Sequence, residues 1–222
     1  MADVTIYGFA NSTYTRTALM ACHEKGVSYD LVSVGGDGED MKGPTHLARH
    51  PFGKIPAMTH GHVTLFESMA IAQYLDDVFD GGVRLQPSDP LERARMTQWA
   101  TAFQDNIAPV ALGEFVLQLI FPSGVDGQPD MARIDAARPI MRSHAEALDT
   151  ALAGRTFIAG GDAPSIADLL IAPCYYYVGS MPGGMATFEG LDNLGRWWEG
   201  VSTRPSFAET IPPIMAQLSQ PA

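Results

Sequence analysis

Positive charge is scarce in this sequence. The 222 residues include 14 lysines and arginines against 25 aspartates and glutamates, which gives a formal net charge of −11. A phosphate backbone would meet overall repulsion, so we expect no nucleic-acid partner. An anionic small molecule would need local positive charge, which one or two lysines or a helix N-terminus can supply.

Long apolar runs and targeting signals are also lacking. No stretch approaches the roughly 20 apolar residues that a membrane-spanning helix needs. The opening MADVTIYGFA has neither the basic start nor the long apolar core of a secretory signal. We therefore expect a cytoplasmic protein without a membrane partner.

Cysteine is rare, and histidine shows no metal-ligand spacing. Cys22 and Cys174 lie far apart and outside any CxxC pair, so neither a disulfide framework nor a zinc ribbon is indicated. Both are predicted to be small, buried hydrophobic side chains. His60 and His62 flank Gly61, where a turn between strands is the simpler explanation. No metal site is predicted.

The first part of the chain predicts a strand, a helix and a second strand. VTIYGF at residues 4–9 is short, β-branched and aromatic, which is typical of a buried strand. TRTALMACHEKG predicts a helix that ends at Gly26, and VSYDLVSV at residues 27–34 predicts the next strand. A crossover of this length makes a βαβ unit, so the two strands should be parallel.

The following part predicts a hairpin and a helix. After an irregular helix near residues 40–50, KIPAMT (54–59) and VTLFE (63–67) should pair as antiparallel strands around HGH. Apolar residues at helical spacing then predict an amphipathic helix over residues 69–79, with Ser68 as its N-cap. The order is βαβ and then ββα.

The composition changes at residue 80. Residues 80–89 are rich in Gly, Pro and Asp, which indicates a linker. Beyond it no strand is predicted, and helices are expected at about 90–120, 127–153, 165–180, 191–203 and 206–219. Pro109 should kink or interrupt the first of them. The fold class is therefore α/β plus all-α: a thioredoxin-like βαβ-ββα domain in residues 1–79, and an all-helical domain in residues 90–222.

A capping box precedes the helix predicted at 165–180. Ser165 supplies an N-cap hydroxyl, and Asp168 stands three residues later in place of the usual Glu or Gln. We expect a structural role, with about 1 kcal/mol lost if the cap is removed.

Three motifs at compatible positions resemble one family. HLARHPFGKIPAMTHGHVTLFESMAIAQYL (46–75), SxxTR (12–16) and SIAD (165–168) are similar to the glutathione transferase superfamily, and within it to the serine-type phi class and its bacterial relatives. The resemblance spans nearly the whole chain. It implies a glutathione transferase with glutathione as co-substrate, no tightly bound cofactor, and a homodimer.

The resemblance also implies how glutathione binds. Pro56 would be a cis-proline that turns the backbone of Ile55 outward, where it can pair with the cysteinyl unit as an added strand. Glu67 would hold the γ-glutamyl ammonium, and Ser68 with the helix N-terminus would hold the neighbouring carboxylate.

Two lysines are candidates for the glycyl carboxylate. Lys42 falls where phi-class members carry a lysine, whereas Lys54 stands where glutamine is common, and Met41 where histidine is common. A contact is therefore lost and a charge gained, so carboxylate binding should be more electrostatic and more sensitive to salt.

The stretch NSTYTR carries the catalytic candidate. By resemblance Ser12 is the catalytic hydroxyl, and its chemistry is to donate a hydrogen bond to the glutathione thiolate, because a serine hydroxyl titrates too high to act as a base. Tyr7 is the rival donor, although its neighbours lack the tyrosine-type pattern. Arg16 could pair with an acid or face the substrate, and the sequence does not separate these roles.

Two further site assignments follow from the resemblance. A hydrophobic electrophile should bind between the loop after the first strand and the helical domain. The candidates for that pocket are Phe9, Phe115, Leu119 and the tyrosines Tyr175, Tyr176 and Tyr177. Asp105 could approach the γ-glutamyl ammonium from the other subunit of the dimer.

Three functions remain open at this point. The leading hypothesis is conjugation of glutathione to an electrophilic carbon. The same thiolate could instead reduce an organic hydroperoxide, which would make the protein a peroxidase. The third alternative is a non-catalytic module that keeps the fold for ligand binding or assembly.

Overall fold

The N-terminal domain is built on a four-stranded mixed sheet. The structure is a computed structural model that describes residues 2–215. The elements of this domain are β1 (Val4–Tyr7), α1 (Thr13–Lys25), β2 (Tyr29–Val32), α2 (Pro44–Leu47), β3 (Ala57–His60), β4 (Val63–Phe66) and α3 (Ser68–Val78). The strand order is β2-β1-β3-β4, with β1 parallel to β2 and antiparallel to β3, and β3 antiparallel to β4. The predicted βαβ-ββα order is confirmed.

Local sequence signals set the ends of α1. The Ser12 side chain accepts a hydrogen bond from the Thr15 amide at the N-terminus, and Gly26 ends the helix with a φ of 65°. A residue with a Cβ would be strained in that left-handed conformation. Between its ends the helix buries Leu19, Met20 and Cys22, and it packs against α3, β1 and helices of the second domain.

The strand register brings three chain segments to one edge of the sheet. Tyr7 lies opposite Ala57, and Ala57 lies opposite Phe66. The loop after β1, the segment before β3 and the segment after β4 therefore leave the sheet side by side. Every residue expected to bind glutathione through the N-terminal domain belongs to one of these segments or to the loop near residue 42.

The segment predicted as a linker is anchored to α3. Residues 80–89 contain no helix or strand, but the Asp76 carboxylate accepts hydrogen bonds from the amides of Leu85 (2.9 Å) and Gln86 (3.0 Å). The Lys25 ammonium lies 3.1 Å from the same carboxylate. Leu85 is fully buried, so this connection packs into the core.

The second domain is helical. Its long helices are α4 (Pro90–Ala102), α6 (Met131–Ala151), α7 (Ile166–Ser180) and α8 (Asp192–Ser202), and its short helices are α5 (Leu117–Ile120) and α9 (Pro205–Ala208). The helix predicted over 90–120 does not end at Pro109. Between α4 and α5 it winds in π geometry, over Phe103–Ile107 and Pro109–Val116. Of the helix predicted over 206–219, only the start is helical: α9 ends at Ala208, and residues 209–214 form turns and irregular backbone. Residues 216–219 lie outside the described residues.

Asp168 does more than cap α7. Its carboxylate accepts hydrogen bonds from the Ser165 amide and hydroxyl (2.7 Å each), the Ile158 amide (2.9 Å) and the Trp197 indole (2.7 Å). Asp168 is fully buried. The predicted capping box therefore also joins α7 to α8 and to the loop before α7.

Both cysteines are buried, as predicted. Burial raises the pKa of the Cys22 and Cys174 thiols from 9.0 to about 12. Within residues 2–215 no helix is both long and apolar enough to cross a membrane.

Candidate active site

A cavity of about 590 Å³ opens between the two domains. The N-terminal domain contributes the loop after β1, the first residues of α1, and the segment that precedes β3. The helical domain contributes one face of the helix over residues 108–121, together with Tyr177 of α7 and Ile214. The wall is mostly apolar, with a small number of polar groups at the end formed by Ser12.

Ser12 combines a structural and a chemical role. Its Oγ accepts a hydrogen bond from the Thr15 amide at 3.2 Å, and the side chain lines the cavity. A hydroxyl also carries one proton to donate. Capping uses an acceptor lone pair, so the proton stays free for a group in the cavity. The N-terminus of α1 faces the same group with its partial positive charge.

Asn11 holds the loop that carries Ser12. The Tyr177 hydroxyl donates a hydrogen bond to the Asn11 carbonyl at 2.8 Å, and the Ile214 amide donates to Asn11 Oδ1 at 3.2 Å. Burial raises the pKa of Tyr177 from 10.0 to about 12, which keeps its hydroxyl protonated as the donor. Two segments distant in sequence therefore fix the backbone next to Ser12.

Tyr7, the rival donor, points elsewhere. Its hydroxyl lies 3.3 Å from Thr59 Oγ1 on the neighbouring strand. The Arg49 guanidinium lies over its ring at 3.9 Å. Tyr7 does not line the cavity, so of the two candidates Ser12 faces it.

Arg16 has a structural position. It is fully buried, donates from Nη2 to the Phe207 carbonyl (2.8 Å) and from Nε to Thr210 Oγ1 (3.1 Å), and stacks on the Phe207 ring at 4.0 Å. Burial lowers its pKa from 12.5 to about 10. Neither of the two roles left open for Arg16 fits this geometry. Arg16 does not line the cavity, and its hydrogen-bond partners within residues 2–215 are a carbonyl and a hydroxyl and not an acid. The residue anchors α1 to the segment after α8.

The Ile55–Pro56 bond is cis, as the resemblance implied. Lys54 and Ile55 line the cavity. Among residues 2–215 no hydrogen bond engages the amide or carbonyl of Ile55, so both can pair with an extended ligand. His46 is fully buried, and its Nε2 donates to the Lys54 carbonyl at 2.7 Å. This bond ties α2 to the segment that precedes Ile55, which the sequence pattern did not indicate.

Glu67 and Ser68 lie beside this segment. Because Phe66 pairs with Ala57, Glu67 follows at the level of Pro56. Ser68 is the first residue of α3 and not its N-cap, which corrects the expectation: the cap position is held by Glu67, whose φ is 70°. Ser68 is buried, and its Oγ has no hydrogen-bond partner in the described part of the chain. Neither residue lines the cavity itself.

The two candidate lysines differ in position. Lys54 is exposed at the cavity, whereas Lys42 lies outside its lining and donates from Nζ to the Phe52 carbonyl at 2.8 Å. Neither ammonium forms an ion pair with a carboxylate of residues 2–215. Met41, which stands in place of a common histidine, also lines the cavity.

Four of the expected electrophile-pocket residues lie elsewhere. Phe115 is fully buried, with the Arg138 guanidinium 5.1 Å from its ring, and Leu119 packs partly buried against the core. Tyr175 stacks on Phe188 and Trp198, and Tyr176 stacks on Trp198. Phe9 and Tyr177 do line the cavity.

The helix that forms the cavity wall explains this correction. Its lining residues come in adjacent pairs every four positions: Ala108 and Pro109, Leu112 and Gly113, Val116 and Leu117, Ile120 and Phe121. Phe115 and Leu119 are also four residues apart, but they lie on a different side of the helix, which faces the core. An α-helix repeats every 3.6 residues, so a four-residue stripe would drift around it. The π turns contain more residues and keep the stripe straight.

Two further expectations concern groups outside this cavity. Asp105 is exposed in the π-helical segment and does not line the cavity of its own chain. Among residues 2–215 no group of three or more His, Cys, Asp or Glu side chains has an arrangement that could hold a metal ion.

Comparisons with known proteins agree with this architecture. The family models for the glutathione S-transferase N-terminal and C-terminal domains match residues 2–77 and 103–205. Glutathione S-transferase 4 of Zea mays is 31% identical over 207 residues, which covers 91% of this chain and 89% of that protein.

Solved structures show the same likeness in three dimensions. Glutathione transferase F2 from Populus trichocarpa superposes with a TM-score of 0.84 at 30% identity, covering 93% of this chain and 96% of that chain. Maize glutathione S-transferase I, solved with an atrazine glutathione conjugate, gives a TM-score of 0.82 at 26% identity and covers 100% of both chains. The chain therefore belongs to the glutathione transferase superfamily. Within it the plant relatives identify a phi-like glutathione transferase enzyme.

Proposed function

We propose that this enzyme conjugates the glutathione thiolate to small hydrophobic electrophiles, with the thiolate stabilised by the Ser12 hydroxyl. The observation that carries the proposal is the position of Ser12. Its hydroxyl lies at the helix N-terminus and lines a mostly apolar cavity that also contains the backbone of Ile55. A thiol anchored along Ile55 would meet a neutral donor and a partial positive charge.

The energies involved are large enough for catalysis. Lowering a thiol pKa by about two units requires roughly 2.7 kcal/mol of preferential thiolate stabilisation. One hydrogen bond to a charged acceptor contributes about 1.5–3 kcal/mol, and the helix N-terminus adds to it. The thiolate is the nucleophilic form of the sulfur, so this stabilisation raises its concentration near neutral pH.

The rest of glutathione fits the sheet edge. In this proposal Ile55 pairs with the cysteinyl backbone, and Lys54 and Lys42 attract the glycyl carboxylate. Glu67 holds the γ-glutamyl ammonium, and the Ser68 hydroxyl and the N-terminus of α3 hold its carboxylate. The Ser68 hydroxyl supports this assignment because it has no hydrogen-bond partner within residues 2–215. The two lysines support it because neither forms an ion pair with a carboxylate of those residues.

The acceptor should be apolar. The helical side of the cavity offers only aliphatic and aromatic contacts, which suit a hydrophobic electrophile. The atrazine glutathione conjugate bound by the maize relative supports an apolar ring compound. Detoxification of such compounds in the cytoplasm is the role we infer from this chemistry.

A homodimer is part of the proposal. In this proposal Asp105, which is exposed and does not line the cavity of its own chain, approaches glutathione from a second copy. Sedimentation of the purified protein gives the oligomeric state. Asp105→Ala should weaken glutathione binding if the dimer carries this contact, and unchanged affinity would remove Asp105 from the site.

Two measurements test the function. Calorimetry should detect glutathione binding to the purified protein, and absence of binding at millimolar glutathione would favour the non-catalytic module. Turnover is then compared between 1-chloro-2,4-dinitrobenzene and cumene hydroperoxide. Conjugation of the aryl halide supports the proposal, whereas a rate with the peroxide alone would make the protein a peroxidase.

A further inference from the structure

We propose that Gly113 determines the size of electrophile that the cavity accepts, and that it selects for compounds larger than a single ring. The inference rests on the proposed conjugation of electrophiles. It starts from a glycine placed in the middle of a helix, on the stripe of residues that lines the cavity.

The backbone does not require glycine at this position. Gly113 lies inside the π-helical segment Pro109–Val116 and has no positive φ, in contrast to Gly26. No neighbouring chain approaches closely either, because a Cβ built on Gly113 has nothing within 4 Å. At Gly184, by comparison, a Cβ would lie 1.7 Å from the Val178 carbonyl oxygen. Sterics therefore explain Gly184 and leave Gly113 unexplained.

Local propensity also opposes this residue. Glycine is the poorest helix former apart from proline, since it loses the most backbone freedom on folding. Alanine would fit without a clash and would favour the helix. Neither the backbone conformation nor the packing therefore explains glycine at this position. What remains is its effect on the cavity, because glycine places no side chain on the wall.

That missing side chain leaves a gap in one row of the wall. The row reads Pro109, Gly113, Leu117 and Phe121, and each of the other three carries an apolar side chain of substantial size. The parallel row through Leu112 has no such break. The gap faces a cavity of about 590 Å³, within the roughly 300–1,000 Å³ typical of sites for drug-sized ligands. In the proposed complex the sulfur end of glutathione shares this cavity with the electrophile. The gap at Gly113 adds room on the apolar wall that a fused-ring or branched electrophile can fill and that a single ring leaves unfilled.

The test refills the gap and compares substrates of different size. Gly113→Phe and Gly113→Ala are assayed with 1-chloro-2,4-dinitrobenzene, a single ring, and with phenanthrene 9,10-oxide, which has three fused rings. Gly195 is the matched control: it is also a helical glycine whose Cβ would meet nothing within 4 Å, but it is exposed on α8, away from the cavity. Gly195→Phe and Gly195→Ala are measured in parallel.

We expect Gly113→Phe to shift the ratio of kcat/KM values by about ten-fold or more toward the single ring, which is the size of discrimination that filling an apolar pocket produces. Gly113→Ala should shift the ratio less, and neither Gly195 variant should shift it. An unchanged ratio in Gly113→Phe, or an equal shift in Gly195→Phe, would overturn the inference.

A binding measurement separates this inference from the proposed function. Calorimetry with the two preformed glutathione conjugates needs no turnover. Gly113→Phe should weaken binding of the phenanthrene conjugate more than binding of the dinitrophenyl conjugate. If the natural protein turns over neither electrophile but Gly113→Phe shows this selective loss of binding, conjugation fails and the role of Gly113 stands. If turnover occurs and both conjugates are affected equally, the role of Gly113 fails and conjugation stands.

Discussion

The Tyr177 hydroxyl donates a hydrogen bond to the backbone carbonyl of Asn11, with 2.8 Å between the two oxygens. The two residues are 166 positions apart in sequence. Asn11 directly precedes Ser12, and its side chain accepts a second hydrogen bond from the Ile214 amide. The helical domain therefore holds the backbone next to Ser12, whose hydroxyl we propose faces the glutathione thiol.

This relationship predicts that the hydroxyl of Tyr177 affects turnover. Tyr177→Phe leaves the ring in place and leaves the Asn11 carbonyl without its donor, so the loop that carries Ser12 gains freedom. We expect kcat to fall about three- to ten-fold, corresponding to roughly one neutral hydrogen bond. Steady-state kinetics with a saturating electrophile measures the change.

The matched control for Tyr177 is its neighbour. The Tyr176 hydroxyl makes no hydrogen bond within residues 2–215 and its ring packs on Trp198, so Tyr176→Phe should leave kcat nearly unchanged. Equal losses in the two variants would contradict a positioning role for Tyr177. Asn11→Ala should lower kcat in the same direction as Tyr177→Phe.

Ser12 both caps α1 and donates a hydrogen bond in the proposed mechanism, and we expect variants to separate these two roles. Ser12→Ala removes both the cap of α1 and the donor, and kcat should fall by at least about ten-fold. The pH at which the thiolate forms should rise by one to two units, which is approximately the effect of that bond. Ser12→Asp keeps a side chain that caps the helix but replaces the donor with a negative charge.

The comparison of these two variants decides what Ser12 does. We expect Ser12→Asp to unfold at the same urea concentration as the natural protein while losing more activity than Ser12→Ala. The thiolate pH profile is read from the ultraviolet absorbance of bound glutathione. If Ser12→Ala turns over a generic aryl halide at the natural rate, Ser12 has no part in the mechanism.

His46 predicts an effect on glutathione binding. Its Nε2 holds the Lys54 carbonyl next to Ile55, and His46→Leu would leave that carbonyl unpaired. We expect KM for glutathione to rise about three- to ten-fold with a much smaller change in kcat, since the bond acts through binding geometry.

Two further variants check this role. His46→Gln carries an amide donor and should restore part of the lost affinity. His62→Leu changes an exposed histidine in the turn after β3 and should have no effect. A fall in kcat with unchanged KM would show that His46 acts differently.

Alkaline pH should destabilise the fold. Burial raises the pKa of Tyr14, Tyr175 and Tyr177 from 10.0 to about 12, and of both cysteines from 9.0 to about 12. Above about pH 9 the unfolded chain releases protons that the folded chain retains, so the unfolding free energy is highest below that pH and falls as pH rises toward 12.

Urea unfolding at about pH 7, 9, 10 and 11 measures this effect. The midpoint should fall progressively above about pH 9. Tyrosinate absorbance should show these three tyrosines ionising only as the protein unfolds. A midpoint that stays constant from about pH 8 to pH 11 would contradict the burial of these groups.

Much of the fold and part of the site could be predicted from local sequence patterns. The order of strands and helices followed from β-branched runs, glycine caps and helical spacing, and each of these acts over a few residues. GKIP and NSTYTR are contiguous motifs, so the cis bond before Pro56 and the candidacy of Ser12 needed no knowledge of distant contacts. Ser68 shows where such patterns fail, because one residue separates a helix cap from a first helical position.

The wall of the cavity could not be predicted in this way. Phe115 and Leu119 have the correct four-residue repeat, but the phase of that repeat depends on π turns in the preceding segment. Both of these faces of the helix are apolar, since one meets the core and the other meets the apolar cavity. Periodicity alone carries no signal that separates them.

The sequence by itself determined the family, the order of elements and the candidacy of Ser12, because short contiguous patterns encode each of them. The tertiary structure alone decided that Arg16 turns inward, that Tyr177 and Ile214 hold Asn11, and that Gly113 faces the cavity. The physical reason is that these positions depend on how segments up to 203 residues apart pack together. Where two faces of a helix have similar local chemistry, only this packing decides which of them meets the core and which meets the cavity.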